Sequence, residues 1–427
     1  MALDPSRRSV LGALSVPVAA TLANIVSYAL LLVAAHVMTA SEYGALASVF
    51  GQLLISTIPM LALQTVAARR TAAGTGPAGV IRGAVLVGAA STALLAALSP
   101  FITRFLHLGS VTDVLLVAAC VPPSALLGTA MGVAQGRREF PRLAALILLA
   151  TGGRSLGGLA GLALHPSTTA TMTGVLIGTT AAAVAVGVHG GGVSRFGASV
   201  RDRSRRGVVP ETLHAAHAHG TFLLLTSLDV LLARHVLSPA AAGAYGVGAV
   251  ITRAALWLPQ SVVALMFASL AQNQHYALTA RRATAVVAGL GALAVAGTAL
   301  LAPVVVTVVG GSRYHGLDSI AWLFALLGAL LALVQLAVLA GLAQRRVRRA
   351  ALLWLTIAAD VILVLWVVEP ATTGGLVTTL VIVALVAAAA AVVLTLRQTF
   401  APDGQGSGTN AGSSPGSKAD STPTALG

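Results

Sequence analysis

The sequence predicts an all-α polytopic membrane protein of about 12 transmembrane helices in two six-helix lobes, with the N- and C-termini cytoplasmic. Three observations carry this. The 427 residues are 57% hydrophobic and only 9% charged, where soluble globular chains carry roughly 25% charged residues. The mean hydropathy of +0.90 over the whole length leaves no room for a large soluble domain. The apolar residues fall into long runs, and the basic residues gather in alternate breaks between them, as in the cytoplasmic loops of membrane proteins.

A spanning helix needs about 20 largely apolar residues, and segments near 10–37, 43–68, 83–102, 112–135, 143–164, 170–188, 213–236, 243–270, 283–309, 317–342, 350–368 and 374–396 qualify. The first follows Ser6-Arg7-Arg8-Ser9-Val10-Leu11, which looks like a twin-arginine export signal. Its apolar run continues to Val37, past a signal peptide's length, which predicts an uncleaved helix. Pro59 in the second span, Pro122 and Pro123 in the fourth and Pro259 in the eighth each lack a backbone N–H and predict kinks. Such kinks serve packing or act as hinges. The fifth span holds Arg154 within Gly152-Gly153-Arg154-Ser155-Leu156-Gly157-Gly158. There Gly153, Gly157 and Gly161 form a small-residue stripe that lets another helix approach closely.

The basic linker 189–212 follows the sixth span and reads as a solvated segment held near anionic headgroups. It separates an N-terminal lobe, 1–188, from a C-terminal lobe, 213–400. From Ala401 to Gly427 the chain is Gly, Ser, Pro, Thr and Asp with almost nothing apolar, a composition that predicts a disordered tail.

The charges test the span count. A cytoplasmic N-terminus puts Arg7, Arg8, Arg69, Arg70, Arg82, Arg137, Arg138 and Arg142 inside. The same side receives Arg195, Arg201, Arg203, Arg205, Arg206, Arg281, Arg282, Arg345, Arg346, Arg348, Arg349, Arg397 and Lys418. Only Arg104, Arg234 and Arg313 fall outside. A miscounted span would invert every later loop and destroy this bias. The net charge of +14 is thus an orientation signal for a multi-pass protein of the cytoplasmic membrane, with anionic lipids as partners and no nucleic acid. The lone Cys120 excludes an internal disulfide or multi-cysteine metal site. The lone Lys418 stands in the tail with no helix after it, which excludes a Walker A loop. No cofactor and no enzymatic activity are expected; a gradient, the substrate or a partner drives the protein.

The two halves repeat. His36-Val37-Met38-Thr39 ahead of Gly44 matches His235-Val236-Leu237-Ser238 ahead of Gly243. Pro59 with Pro259, Pro100 with Pro303, and Ala134-Gln135-Gly136-Arg137-Arg138 with Ala343-Gln344-Arg345-Arg346 follow in the same order at near-constant spacing. Six helices between equivalents give both halves the same orientation, a parallel repeat suited to alternating access.

Four charges lie within spans: Arg154, Asp229, Arg253 and Asp360. Each costs about 2.5–3.5 kcal/mol when central, so each faces a cavity or a partner. Asp229 and Arg253, on consecutive helices, either pair with each other or face a wet cavity. Asp360 is a proton or sodium site, or it hydrogen-bonds a neighbouring Ser or Thr. A buried guanidinium offers a fork of donors suited to phosphate, which makes Arg253 and Arg154 the leading binding candidates for a diphosphate. His36 and His235, at the outer ends of the first and seventh helices, are polar tips among headgroups or a gate.

Leu30-Leu31-Leu32-Val33-Ala34-Ala35-His36-Val37-Met38-Thr39-Ala40-Ser41-Glu42-Tyr43-Gly44 resembles the first hairpin of the polysaccharide (oligosaccharide-lipid) flippases of the multidrug/oligosaccharidyl-lipid/polysaccharide exporter superfamily. Thr226-Ser227-Leu228-Asp229-Val230-Leu231-Leu232-Ala233-Arg234 with Ala242-Gly243-Ala244-Tyr245, and Gln135-Gly136-Arg137-Arg138-Glu139-Phe140 followed by Arg154, resemble later parts of the same family. The resemblance runs from about Asn24 to Arg349. It implies two six-helix lobes around a cationic cavity and an undecaprenyl-diphosphate-linked glycan as cargo, moved from inner to outer leaflet. Other membrane proteins of polysaccharide assembly are implied as partners. With Glu42 and Asp113 expected at the outer surface, the early helices are expected to hold no buried carboxylate, unlike the drug/sodium antiporter branch. That branch, a small-molecule or multidrug antiporter, is the alternative reading. A membrane glycosyltransferase or polymerase is the third, and the short external loops with no acidic pair argue against it.

Overall fold

The computed structural model describes residues 5–74, 78–189, 207–257, 259, 276–343, 350–368 and 371–397. The tail, 190–206 of the linker, the basic run 344–349 and most of the eighth predicted span beyond Trp257 lie outside the described residues. Among the described residues there is helix and no strand.

The helices are α1 (Pro5–Val37), α2 (Ala40–Ser56), α3 (Ile58–Ala72), α4 (Ala78–Phe105), α5 (Val111–Gly136), α6 (Phe140–Ile147), α7 (Gly153–Leu164) and α8 (Thr168–His189). They continue as α9 (Val208–Val236), α10 (Pro239–Trp257), α11 (Tyr276–Leu300), α12 (Ala302–Gly310), α13 (Ala321–Ala343), α14 (Ala350–Ile362) and α15 (Thr373–Arg397). Eight spans among the described residues are long and apolar enough to cross a membrane, or nine with the bent α9 counted as one. Ala321–Ala337 and Ala351–Val367 are shorter apolar helices. The chain is a multi-pass membrane protein.

Prolines set the breaks. The second predicted span is two helices, α2 and α3, with Thr57 between them and Pro59 in the first turn of α3. The ninth is likewise divided at Leu301, with Pro303 in the first turn of α12. A first-turn proline gives up an N–H that has no helical partner there, so it starts a helix without penalty. Pro122 and Pro123 instead stand inside α5, which continues through them. Pro259 is buried and lies two residues beyond the end of α10. The Thr39 hydroxyl accepts from the Glu42 amide while the Glu42 carboxylate accepts from the Thr39 amide, a reciprocal cap that fixes where α2 begins.

Two π turns were not legible in the sequence. One, Leu148–Gly152, joins α6 to α7 immediately before Arg154; the other, Leu363–Val367, follows α14 just after Asp360. Each inserts an extra residue into the helical turn, and such turns recur at functional sites.

Packing follows a repeated plan. In the first half α1 packs on α6 and α7, α3 on α5, α4 on α5, α5 on α8, and α7 on α8. In the second half α9 packs on α14, α10 on α13, α11 on α13, α13 on α15, and α14 on α15. Helices α2 and α3 of the first half also pack on α9 and α10 of the second. At the α7–α8 contact a Cβ on Gly157 would lie 2.2 Å from the Gly174 carbonyl oxygen, and one on Gly161 2.1 Å from that of Ala170. The glycine stripe read in the sequence is therefore a packing surface. At the α2–α10 crossing a Cβ on Gly44 would lie 2.7 Å from the Gly243 nitrogen, and one on Gly243 1.9 Å from the Ala40 carbonyl oxygen. Both backbones need that space.

Gly243→Val should therefore lower stability by about 2–3 kcal/mol, because the crossing must separate to admit the side chain. Gly289→Ala, on α11 with nothing within 4 Å of the new Cβ, should be neutral or stabilise by about 0.5–1 kcal/mol through helix propensity. Thermal unfolding of the two variants in the same detergent checks the contrast.

Candidate functional site

The two arginines singled out from the sequence meet in one cavity. Arg154 at the start of α7 and Arg253 near the end of α10 both line a space of about 830 Å³, open solvent at its mouth included. Helix α1 contributes Asn24, Ser27, Tyr28 and Leu31, one stripe at helical spacing. Helix α2 contributes Tyr43, Ala47 and Phe50, and α10 adds Gly246, Val250 and Trp257. No carboxylate is among the lining residues. Arg154 makes no hydrogen bond or ion pair with any described residue. Ser155 beside it shares a 2.9 Å hydrogen bond with Ser27, tying α7 to α1. Among the described residues the guanidinium of Arg154 thus has no paired anion.

Arg253 is partly committed. Its Nη2 lies 3.9 Å from Asp229 Oδ1, with side chains 16% and 11% exposed, and 3.5 Å from the Thr226 carbonyl oxygen. Arg253 thus lies at ion-pair distance from Asp229 and also lines the cavity. Tyr245 donates its hydroxyl to Asp229 Oδ2 at 3.4 Å, while Asp229 Oδ1 is buried with no hydrogen bond.

Asp360 on α14 is also buried and lies within electrostatic reach of Asp229. Its Oδ1 has no hydrogen-bond partner, and no described Ser or Thr bonds it. The two carboxylates are thus within electrostatic reach of each other, and each has an Oδ1 with no hydrogen bond among the described residues, that of Asp229 being the one 3.9 Å from Arg253. The arginines of the cavity and the acids behind Arg253 form adjoining poles.

His36 and His235 lie at one end of the bundle, each at a junction between the two halves. The His36 ring is exposed and bonds its own helix, Nδ1 to the Leu32 carbonyl at 2.7 Å. The junction there is made by Arg313, which donates to the carbonyls of Met38 and, at 3.2 Å, His36. At the matched junction Arg234 donates to the carbonyls of Leu106 and His107, both at 3.0 Å. His235 Nδ1 reaches the Phe105 carbonyl at 2.8 Å, and its ring stacks on Phe105 at 4.1 Å and on His107 at 5.5 Å. Each half is clasped by an arginine across the same kind of helix end. At the opposite end Arg70 on α3 forms a two-point ion pair with Glu211 on α9, both contacts at 3.0 Å. Pro59 and Pro259 lie outside the cavity lining.

Sequence reasoning missed the aromatic wall of Tyr28, Tyr43 and Trp257, and the clasping arginines Arg234 and Arg313. Arg234 is only 6% exposed, although its position near a helix end reads as a loop charge.

The fold is shared with solved membrane transporters. An inward-facing multidrug resistance MATE family transporter of the MOP superfamily aligns with TM-score 0.69 at 13% identity, over 91% of this chain and 98% of that one. The lipid II flippase MurJ in an inward closed conformation aligns with TM-score 0.69 at 10% identity, over 90% and 89%. An outward-facing MATE transporter aligns with TM-score 0.61 at 14% identity, over 92% and 93%. The sequence matches no family model and no curated protein. At these identities the likeness is one of fold: the chain has the architecture of MOP-superfamily transporters.

Arg234→Ala removes two charge-assisted hydrogen bonds to backbone carbonyls, each worth about 1.5–3 kcal/mol locally. Hydrogen exchange should accelerate in the 104–110 turn while the α2–α10 crossing keeps its protection.

Proposed function

We propose that this chain moves a lipid-linked oligosaccharide of the undecaprenyl-diphosphate type across the cytoplasmic membrane by alternating access, in cell-surface polysaccharide biosynthesis. One observation carries the reading: the two mid-bundle arginines line a single cavity that no carboxylate among the described residues lines. A guanidinium in a low-dielectric site is costly unless it meets an anion, and its donor fork matches phosphate. Arg154, with no hydrogen-bond or ion-pair partner among the described residues, and Arg253, loosely held by Asp229, take the two phosphates of the headgroup. The same fold carries multidrug transporters, so fold does not separate the readings. The cavity charge favours the flippase reading: the two guanidinium groups that line it oppose a cationic drug.

Transport of this kind needs two units that rock about the site. We take these to be the lobes 1–188 and 213–400, twelve spans in all, with the basic loops and both termini on the cytoplasmic side. The helix pairings repeated in the two halves support this. Asp229 and Asp360 couple the cycle by taking a proton or sodium ion in the carboxylate pair. Occupancy there neutralises Asp229 and alters its hold on Arg253, which gives the coupling site a direct line to the binding site. The junctions at His36 and His235 close the outer face, and the Arg70–Glu211 pair joins the lobes at the inner face.

Converting Arg154 and Arg253 together to Ala should abolish transport of the lipid-linked sugar into the outer leaflet of proteoliposomes while leaving membrane insertion intact. Full transport by that double variant would sink the assignment. Asp360→Asn should make transport independent of the imposed ion gradient while binding of the lipid diphosphate persists. The readout is transport with and without a proton or sodium gradient.

A further inference from the structure

Beside the arginines the cavity has a second chemistry that phosphate binding leaves unused. Asn24 and Tyr28 stand one helical turn apart on α1, and Trp257 stands one turn beyond Arg253 on α10, about 5.4 Å along the axis. The rings of Tyr28 and Trp257 meet edge to face, centroids 6.3 Å apart, so the two helices bring the three side chains to one wall. Trp257 is 40% exposed. The Asn24 amide, the Tyr28 hydroxyl and the Trp257 N–H make no hydrogen bond with any described residue. Tyr28 also lies within electrostatic reach of Arg253, so this wall adjoins the anion site. An aromatic face flanked by uncommitted donors and an acceptor presents an apolar surface and polar tips together. That suits a ring bearing C–H groups on its face and hydroxyls at its edge.

We infer that Asn24, Tyr28 and Trp257 form a sugar subsite that takes the first hexose of the cargo, the one attached to the diphosphate held by Arg253 and Arg154. This rests on the lipid-linked oligosaccharide reading and deepens it: the arginines hold what every such lipid shares, and the aromatic wall decides whether a sugar is attached. An aromatic wall also attracts organic cations, but here the neighbouring charges are two guanidinium groups.

The test is native mass spectrometry of the full chain in detergent, titrated with a polyprenyl diphosphate and with the same lipid carrying one hexose. The wild type should bind the glycosylated lipid about tenfold more tightly, an increment within the range of aromatic contacts plus a hydrogen bond. Trp257→Ala should erase that preference while leaving binding of the bare lipid unchanged, and Trp257→Phe should keep most of it. Arg253→Ala should weaken both lipids alike. Equal weakening of both lipids by Trp257→Ala would make Trp257 a packing residue and overturn the subsite, as would a preference that survives Trp257→Ala. A wild type that binds neither lipid would overturn the functional reading itself. Binding of tetraphenylphosphonium that Trp257→Ala abolishes would make the wall a cation site and overturn the sugar assignment.

Discussion

The close crossing of α2 and α10 at Gly44 and Gly243 is the constraint from which the rest of the molecule follows. Lipid tails are as apolar as leucine, so helices in a membrane gain little by burying apolar surface against each other. Close backbone approach and packing must hold them instead. Gly243 lies where any side chain would strike the Ala40 carbonyl, and Gly44 where it would strike Gly243. The two glycines occupy matched places in the internal repeat, so a helix meets its own duplicate, as in a self-complementary interface. The same two helices line the cavity together with α1 and α7. Tyr43, Ala47 and Phe50 face it from α2, and Gly246, Val250 and Arg253 from α10.

The interior charges are arranged so that neither sign is fully answered. Arg253 has Asp229 at 3.9 Å, which is a loose pair. Arg154 has no paired anion among the described residues, and Asp360 has Asp229 and Tyr245 within electrostatic reach. A protein built for static stability would pair or delete such groups, since a buried unpaired charge is expensive. On the proposed reading, Arg154 takes an anion from outside the protein and Asp360 a proton or cation. The two sites would then meet at Asp229 and Arg253, which lie 3.9 Å apart.

Much of this was legible in the sequence, and the physical reasons are specific. The cost of burying charge singled out Arg154, Arg253, Asp229 and Asp360 before any geometry. The repeat paired Gly44 with Gly243, and Pro59 marked the break at Thr57. The aromatic wall was illegible because Tyr28 and Trp257 sit in apolar runs where a lipid-facing ring and a cavity-facing ring look alike. Arg234 and Arg313 were read as outer loop charges, since their partners are backbone carbonyls, which no residue type announces. The π turns left no trace, because a one-residue insertion in an apolar helix preserves its composition. Arg154 is the instructive case: the glycines around it pack against α8, while the arginine lines the cavity together with Arg253.

The most direct test of this account is a density map of the protein in lipid nanodiscs with a bound polyprenyl diphosphate. The account places the two phosphates between the guanidinium groups of Arg154 and Arg253, with the polyprenyl chain leaving toward lipid. Phosphate density elsewhere, for example against the small-residue groove along α7 and α8 with the arginine cavity empty, would contradict it.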